Sequence, residues 1–246
     1  MIEWWQWALL IAAAFIVGVS KTGIAGFGVF AVALFATALP ARSAVGAVLL
    51  VLIAGDIVAV SSYRHDANWS YLWRLFPWTA AGVVLGALAL GRIDDRGLAR
   101  LLGAILLLLV LLSAWRRWSL AHGGRENPLP HWMVAPTGVT AGFTTMVANA
   151  SGPIMILYLL EQNLPKIVFM GTTAWFYLFL NLFKVPFSYA LGMINANSLP
   201  ISLVLIPFAV LGALVGRPIL RRLDQRWFET LALVFTFIAA LRLVMA

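Results

Sequence analysis

The residues Ser20-Lys21-Thr22-Gly23-Ile24-Ala25-Gly26-Phe27-Gly28 interrupt a long apolar stretch that extends from 4 to 38. Their glycines, hydroxyl groups and lysine do not suit an unbroken helix in contact with lipid. A second stretch, 132–160, is interrupted in the same way by Thr144-Thr145-Met146-Val147-Ala148-Asn149-Ala150-Ser151-Gly152-Pro153. Irregular backbone is tolerated inside a membrane only where it is buried in protein or lines a cavity. Both interruptions therefore indicate broken helices that contribute to a site.

The composition excludes a soluble globular protein. Of the 246 residues, 63% are hydrophobic and 11% are charged, which leaves too little polar surface to cover a globule. Uninterrupted apolar stretches long enough to span a bilayer lie at 42–62, 71–91, 98–118, 167–192, 198–216 and 226–245. We predict an all-α polytopic membrane protein with about eight transmembrane helices, a multi-pass protein of the cell (inner) membrane. No cleavable leader pattern precedes the first stretch, so we expect that stretch to be retained.

The net charge of +8 comes largely from arginines in short loops beside apolar stretches. This is the positive-inside pattern of a protein in a lipid bilayer, and it does not indicate a nucleic-acid partner.

The two halves of the chain are repeats of one another. At a spacing of 130 positions the matches are Leu75/Leu205, Pro77/Pro207, Gly82/Gly212, Gly86/Gly216, Arg92/Arg222, Asp94/Asp224 and Arg96/Arg226. Upstream, Asp56 corresponds to Asn181 at a spacing of 125, and Gly26 to Gly142 at a spacing of 116. We predict a first transmembrane repeat at 1–118, a linker loop at 119–131 and a second transmembrane repeat at 132–246. Each repeat has four segments, so that segments 1 and 5 of the chain are the broken ones.

Duplicated halves with a broken helix in matching places are typical of secondary transporters, whose site lies between the repeats. The orientation of the halves stays open. If each break lies within a single crossing, Arg and Lys collect on one side of the membrane, as the positive-inside rule favours. If each break is a re-entrant hairpin, the halves are inverted, as in many transporters.

Lys21 and Lys184 are the most informative candidate site residues, because an amine in hydrocarbon costs at least about 2.5 to 3.5 kcal/mol and is retained mainly for a function. Where a helix restarts after a break, its free N–H groups favour an anion. The predicted substrate-binding residues are Lys21, Thr22, Gly26, Thr144, Asn149, Ser151, Gly152, Asn181 and Lys184. We expect Asp56 to form an ion pair with one lysine or to carry a coupling proton.

Other interpretations of these residues stay open. Lys184 lies close enough to a helix end for its stem to extend to the headgroups. The alternative for Asp56 is a fixed structural ion pair. Asn149 or Ser151 would either cap the following helix or donate to a ligand.

Several of these motifs together resemble the sulfite exporter TauE/SafE family of membrane permeases. The motifs are Gly23-Ile24-Ala25-Gly26-Phe27-Gly28, Gly142-Phe143-Thr144-Thr145, Asn149-Ala150-Ser151-Gly152-Pro153, Tyr158-Leu159-Leu160, Phe169-Met170-Gly171-Thr172 and Asn181-Leu182-Phe183-Lys184. The resemblance implies a permease built from duplicated halves that transports sulfite, organosulfonates or thiosulfate. Sulfur oxyanions are strong acceptors for lysine, amide and backbone N–H donors.

The sequence gives no reason to expect an enzyme, a cofactor or a metal site. It contains no cysteine, its three histidines fall in loops, and it has no phosphate-binding lysine motif for ATP. Three alternatives are a non-transporting membrane assembly partner, a channel, and an intramembrane serine hydrolase that uses Ser151. Coupling to a proton, the direction of transport and the formation of a homo-oligomer stay open.

Overall fold

A computed structural model describes residues 2–39, 41–90 and 131–245 of the chain. Within these residues the secondary structure is helical and contains no strand. The helices are α1 (Trp4–Thr22), α2 (Gly28–Ala38), α3 (Ala41–Tyr63), α4 (Trp69–Ala89), α5 (Val134–Ala148), α6 (Gly152–Leu160), α7 (Lys166–Ala190), α8 (Ser198–Arg222) and α9 (Gln225–Met245), with a 3₁₀ turn at His131–Met133 before α5.

Five of the described helices are long and apolar enough to cross a membrane. These spans are Trp4–Thr22, Ser43–Tyr63, Trp69–Ala89, Lys166–Ala190 and Ser198–Arg222. The prediction of an all-α polytopic membrane protein is confirmed. The count of eight spans stays a prediction, because the expected helix at 98–118 lies outside the described residues.

The first break reverses the direction of the chain. Near the start of α1, Gln6 Nε2 donates a 2.8 Å hydrogen bond to the carbonyl oxygen of Ala38, the last residue of α2. At the other end of the hairpin, Ser20 lies against Gly28. Gly26 lies within the turn and has a φ of +89°, a conformation that glycine adopts without strain. The segment from 4 to 38 is therefore a helical hairpin, which favours the re-entrant interpretation of the break.

The second break also reverses the chain. Helix α5 ends at Ala148, and the residue that follows it, Asn149, has a left-handed φ of +52°. Along α4, the Gly86 end lies against Met146, near the end of α5. Tyr158, near the end of α6, lines a cavity with Leu72 and Leu75 of the other end of α4. Gly138, near the start of α5, lies against Leu75 as well. The end of α6 therefore returns to the level at which α5 began, and α5 and α6 form a second hairpin.

Matching contacts in the two halves define which helices are equivalent. A Cβ on Gly18 of α1 would lie 1.9 Å from the Ala209 carbonyl oxygen of α8, and a Cβ on Gly142 of α5 would lie 1.9 Å from the Thr79 carbonyl oxygen of α4. Thr79 and Ala209 are 130 positions apart, as the repeat predicts. Gly142 therefore corresponds to Gly18, and the match to Gly26 was wrong. A two-residue identity in a glycine-rich segment carries less information about register than a close helix crossing does.

The equivalent helices α3 and α7 run antiparallel. Gly46 near the start of α3 lies against Met193 just after α7, whereas Gly171 near the start of α7 lies against Asp66 just after α3. A twofold axis that exchanges two antiparallel helices is perpendicular to both. Because α3 and α7 cross the membrane in opposite directions, the helices of the first half and those of the second half have opposite orientations in the membrane.

The division into repeats at 1–118 and 132–246 and a linker at 119–131 stays a prediction. The end of the first repeat and nearly all of the linker fall among residues 91–130, which lie outside the described residues.

Candidate functional site

An ion pair joins the first hairpin to α3. Lys21 Nζ in the last turn of α1 lies 2.7 Å from Asp56 Oδ1, and the Asp56 side chain is 0% exposed. The Lys21 side chain is 11% exposed. The C-terminal end of a helix favours a cation, which suits Lys21 at this position. Of the two lysines predicted as partners of Asp56, the structure selects Lys21.

Asp56 also contacts its counterpart in the other half of the protein. Asn181 Nδ2 of α7 donates a 2.7 Å hydrogen bond to Asp56 Oδ2. Each carboxylate oxygen of Asp56 thus faces one positively polarised group, from Lys21 or Asn181. Such compensation is required for a carboxylate that is fully removed from water.

Lys184 is held by the second hairpin. Its Nζ donates hydrogen bonds to Thr145 Oγ1 at 3.0 Å and to Asn149 Oδ1 at 2.5 Å. Asn149 in turn donates from Nδ2 to the carbonyl oxygen of Val45 at 3.2 Å, which links this hairpin to α3. The Lys184 side chain is 0% exposed, so the interpretation in which it extends to the headgroups is wrong.

The charges of this cluster do not balance among the described residues. Lys21 and Lys184 are two cations, whereas Asp56 is the one carboxylate that the structure brings to them, and it is bonded to Lys21. Lys184 donates only to the neutral side chains of Thr145 and Asn149. With all three groups ionised, the cluster carries one positive charge in excess. A buried excess charge is costly unless a counter-ion accompanies it.

Three other predicted site residues have structural contacts in this conformation. The Thr22 hydroxyl donates to the Ala213 carbonyl oxygen of α8 at 2.6 Å. The Thr144 hydroxyl donates to the Ala141 carbonyl oxygen within its own helix at 3.1 Å. Gly26 lies against Phe235 of α9 and Ile156 of α6. These contacts position the hairpins against neighbouring helices.

Ser151 and Gly152 lie at the start of α6. Ser151 is buried and makes no side-chain cap hydrogen bond to α6, and the Asn149 side chain bonds Lys184 and Val45 instead. Ser151 thus occupies the N-cap position of α6, but neither its side chain nor that of Asn149 makes the capping hydrogen bond. A Cβ added to Gly152 would meet nothing within 4 Å. The N-terminal end of α6 thus has open space beside it.

The sequence analysis missed Thr145 and Tyr177. Thr145 is a direct partner of Lys184, and the Tyr177 ring lies under Lys21, with 4.3 Å between Nζ and the ring centroid. Tyr177 lies four residues before Asn181 and seven before Lys184, a spacing that places all three on one face of α7. The same helical spacing joins Thr145 to Asn149. These spacings were the signals that could have identified both residues.

Two inverted helical hairpins whose ends meet buried charged groups, within a bundle of apolar helices, are typical of membrane transporters built from repeats. The sulfite exporter TauE/SafE family matches residues 10–243, nearly the whole chain, and the protein belongs to this family. Its members are membrane permeases for sulfite or related sulfur anions, and they are not enzymes. The chain is therefore a multi-pass membrane transporter protein. No curated protein and no solved structure gives a significant match to the chain.

Proposed function

We propose that this protein is a secondary transporter for small sulfur oxyanions, such as sulfite, thiosulfate or an organosulfonate, in the cell (inner) membrane. The anion binds between the repeats, where the ends of both hairpins meet α3 and α7. Lys184 and Lys21 supply positive charge, and the side chains of Asn149, Asn181 and Ser151 supply or orient neutral donors. Transport proceeds by alternating access, with the two hairpins moving relative to α3 and α7.

The complete burial of Lys184, which bonds only neutral side chains among the described residues, is the observation that carries this proposal. A lysine that is 0% exposed and donates only to neutral groups, Thr145 and Asn149, lacks the counter-ion that such burial requires. A bound anion would supply that counter-ion. Sulfur oxyanions fit because their oxygens accept strong charge-assisted hydrogen bonds from an ammonium group.

The start of α6 adds a second favourable feature beside Lys184. The free N–H groups at a helix N-terminus carry partial positive charge. The space next to Gly152 is open, and Asn149, which holds Lys184, lies only three positions before it. An anion bonded to Lys184 would therefore lie close to this helix end.

Asp56 is the residue best placed to couple transport to a proton. In the described conformation its carboxylate holds Lys21 at 2.7 Å. Protonation of Asp56 would remove the negative charge from this pair and release the Lys21 ammonium group to a bound anion. Loss of the proton on the other side of the membrane would restore the Lys21–Asp56 pair and favour release of the anion.

Ligand-induced thermal stabilisation of the detergent-purified protein tests the proposal. The panel consists of sulfite, thiosulfate, taurine, sulfoacetate, sulfate, chloride and acetate. A ligand at 100 times its dissociation constant adds about 2.7 kcal/mol to the free energy of unfolding. We expect stabilisation by at least one of the reduced or organic sulfur anions at concentrations where chloride and acetate have no effect.

Two variants connect that stabilisation to the site. Lys184→Met removes the buried charge with little change in side-chain length, and it should abolish the response to the sulfur anion. Arg74→Gln removes an exposed positive charge from α4 and should retain the response. A wild-type protein that no sulfur anion stabilises, or an equal response in Lys184→Met, would contradict the proposal.

A further inference from the structure

Tyr177 presents a buried hydroxyl group that forms no hydrogen bond of normal geometry with the described residues. A buried polar group left in this state costs free energy, about 1 to 3 kcal/mol in proteins, so such groups are rare in the absence of a role. The hydroxyl belongs to α7, on the face that also carries Asn181 and Lys184. The polar groups of Asn181 and Lys184 form hydrogen bonds with described residues, whereas the Tyr177 hydroxyl does not.

The surroundings of Tyr177 place this hydroxyl at the proposed anion site. Its ring lies under the Lys21 ammonium group, 4.3 Å from Nζ to the ring centroid. Its hydroxyl lies close to that of Ser151, the residue that precedes α6, but the two do not form a hydrogen bond of normal geometry. Tyr177 thus bridges the Lys21–Asp56 pair of the first half and the start of α6 in the second half.

We propose that Tyr177 is a further substrate-binding residue, an inference that rests on the proposed function. Its hydroxyl donates a hydrogen bond to the bound sulfur oxyanion, and its ring keeps Lys21 in position. An anion is the partner that best fits a phenolic O–H beside Lys21, because it accepts from the hydroxyl and is attracted by the ammonium group. The cation–π contact with the ring orients the Lys21 ammonium group without neutralising it.

A single-atom change separates the two parts of the side chain. Tyr177→Phe removes the hydroxyl and retains the ring under Lys21. Because the hydroxyl has no described partner in the ligand-free protein, its removal should leave the unfolding temperature without ligand unchanged or raise it. Loss of a hydrogen bond to a charged ligand should raise the dissociation constant about 10- to 100-fold. A purely structural role would give the opposite pattern, with lower stability and unchanged affinity.

The experiment measures the dissociation constant for sulfite, thiosulfate and taurine by isothermal titration calorimetry, on wild type, Tyr177→Phe and Tyr189→Phe. Tyr189 lies on the same helix with its side chain 71% exposed, so its variant controls for the loss of a tyrosine hydroxyl. Weaker binding confined to Tyr177→Phe, at unchanged or higher stability without ligand, supports the inference. Equal affinity in Tyr177→Phe and wild type overturns it and leaves the proposed function intact. If wild type binds none of the three anions, both the proposed function and this inference are wrong.

Discussion

Asn181 donates a 2.7 Å hydrogen bond to Asp56, and these two residues occupy equivalent positions in α7 and α3. Equivalent positions that touch each other must lie close to the axis that relates the two sets of helices. Two carboxylates there would repel each other, and two amides would leave Lys21 without a charged partner. The repulsion between two carboxylates and the need of Lys21 for a charged partner therefore explain why the two repeats carry different residues, Asp and Asn, at this position.

Substitution of Lys184 by methionine should impair transport without preventing folding. The variant loses the buried ammonium group that the proposal assigns to the anion. We expect the apparent KM for uptake of the sulfur anion into proteoliposomes to rise at least about tenfold, the effect of losing about 1.4 kcal/mol of binding free energy. Unchanged uptake by a well-folded Lys184→Met protein would remove Lys184 from the site. Uptake by Arg74→Gln serves as the control for a lost surface charge.

The Lys21–Asp56 pair should show strong coupling in a double-mutant cycle. Lys21→Met leaves the fully buried carboxylate of Asp56 without its cation, and breaking a buried pair in this way costs about 3 to 5 kcal/mol. Lys21→Met combined with Asp56→Asn removes both charges and should be more stable than Lys21→Met alone. The measurement is the free energy of unfolding in detergent.

The result of that cycle separates a fixed pair from independent groups. The cycle also needs the single variant Asp56→Asn. If the destabilisation of the double variant equals the sum of those of Lys21→Met and Asp56→Asn, the two residues contribute to stability independently. Transport by the double variant, measured in parallel, reports whether the pair also serves coupling.

The first hairpin should accept a disulfide across its turn. A Cβ on Gly28 would lie 3.5 Å from the Ser20 Cβ, at the lower limit of the separation found in disulfides. Ser20→Cys with Gly28→Cys should therefore cross-link on mild oxidation, in a chain that contains no other cysteine. Mass spectrometry of the proteolysed protein detects the link.

The control for that disulfide is a pair with the same separation along an unbroken helix. Ala54→Cys with Ser62→Cys lies within α3, where eight residues span about 12 Å. This pair should not form an intramolecular link. Equal cross-linking of both pairs would contradict the hairpin.

Gly142→Leu should prevent correct packing of α4 against α5. A Cβ at Gly142 would already lie 1.9 Å from the backbone oxygen of Thr79, so the helices would have to separate. Overpacking costs about 1 to 3 kcal/mol where side chains can adjust, and more is expected where backbone must move. The monodisperse fraction in size-exclusion chromatography and the unfolding temperature measure the effect.

Gly152→Ala provides the contrast for that packing test, because a Cβ there meets nothing within 4 Å. Its unfolding temperature should remain unchanged or rise slightly, since alanine favours a helix more than glycine does. Equal stability of Gly142→Leu and Gly152→Ala would contradict the close α4–α5 crossing.

Much of the fold follows from local properties of the sequence. Apolar stretches of sufficient length predicted α3, α4, α7, α8 and α9, and clustered glycines and polar residues located both breaks. Matched glycines such as Gly82 and Gly212 revealed the duplication. The correspondence of Gly18 with Gly142 was not accessible in the same way, because alanine-rich helices offer several registers that only packing distinguishes.

The candidate site could be predicted as a set of residues but not as a set of bonds. The sequence identified Lys21, Asp56, Asn149, Asn181 and Lys184, since charged and amide groups are conspicuous in apolar stretches. It gave no reason to prefer Lys21 over Lys184 as the partner of Asp56. Tyr177 was missed because a tyrosine in an apolar helix is unremarkable until its hydroxyl proves to lack a partner.

The sequence by itself determined that this protein is a helical membrane protein of duplicated halves with polar breaks, because hydrophobic length, composition and residue spacing are properties of neighbouring residues. Only the tertiary structure decided that each break reverses the chain, that the halves are inverted, and that Lys21 rather than Lys184 pairs with Asp56. These features depend on contacts between residues far apart in the chain. The free energy of such contacts depends on how whole helices pack, which no local pattern encodes.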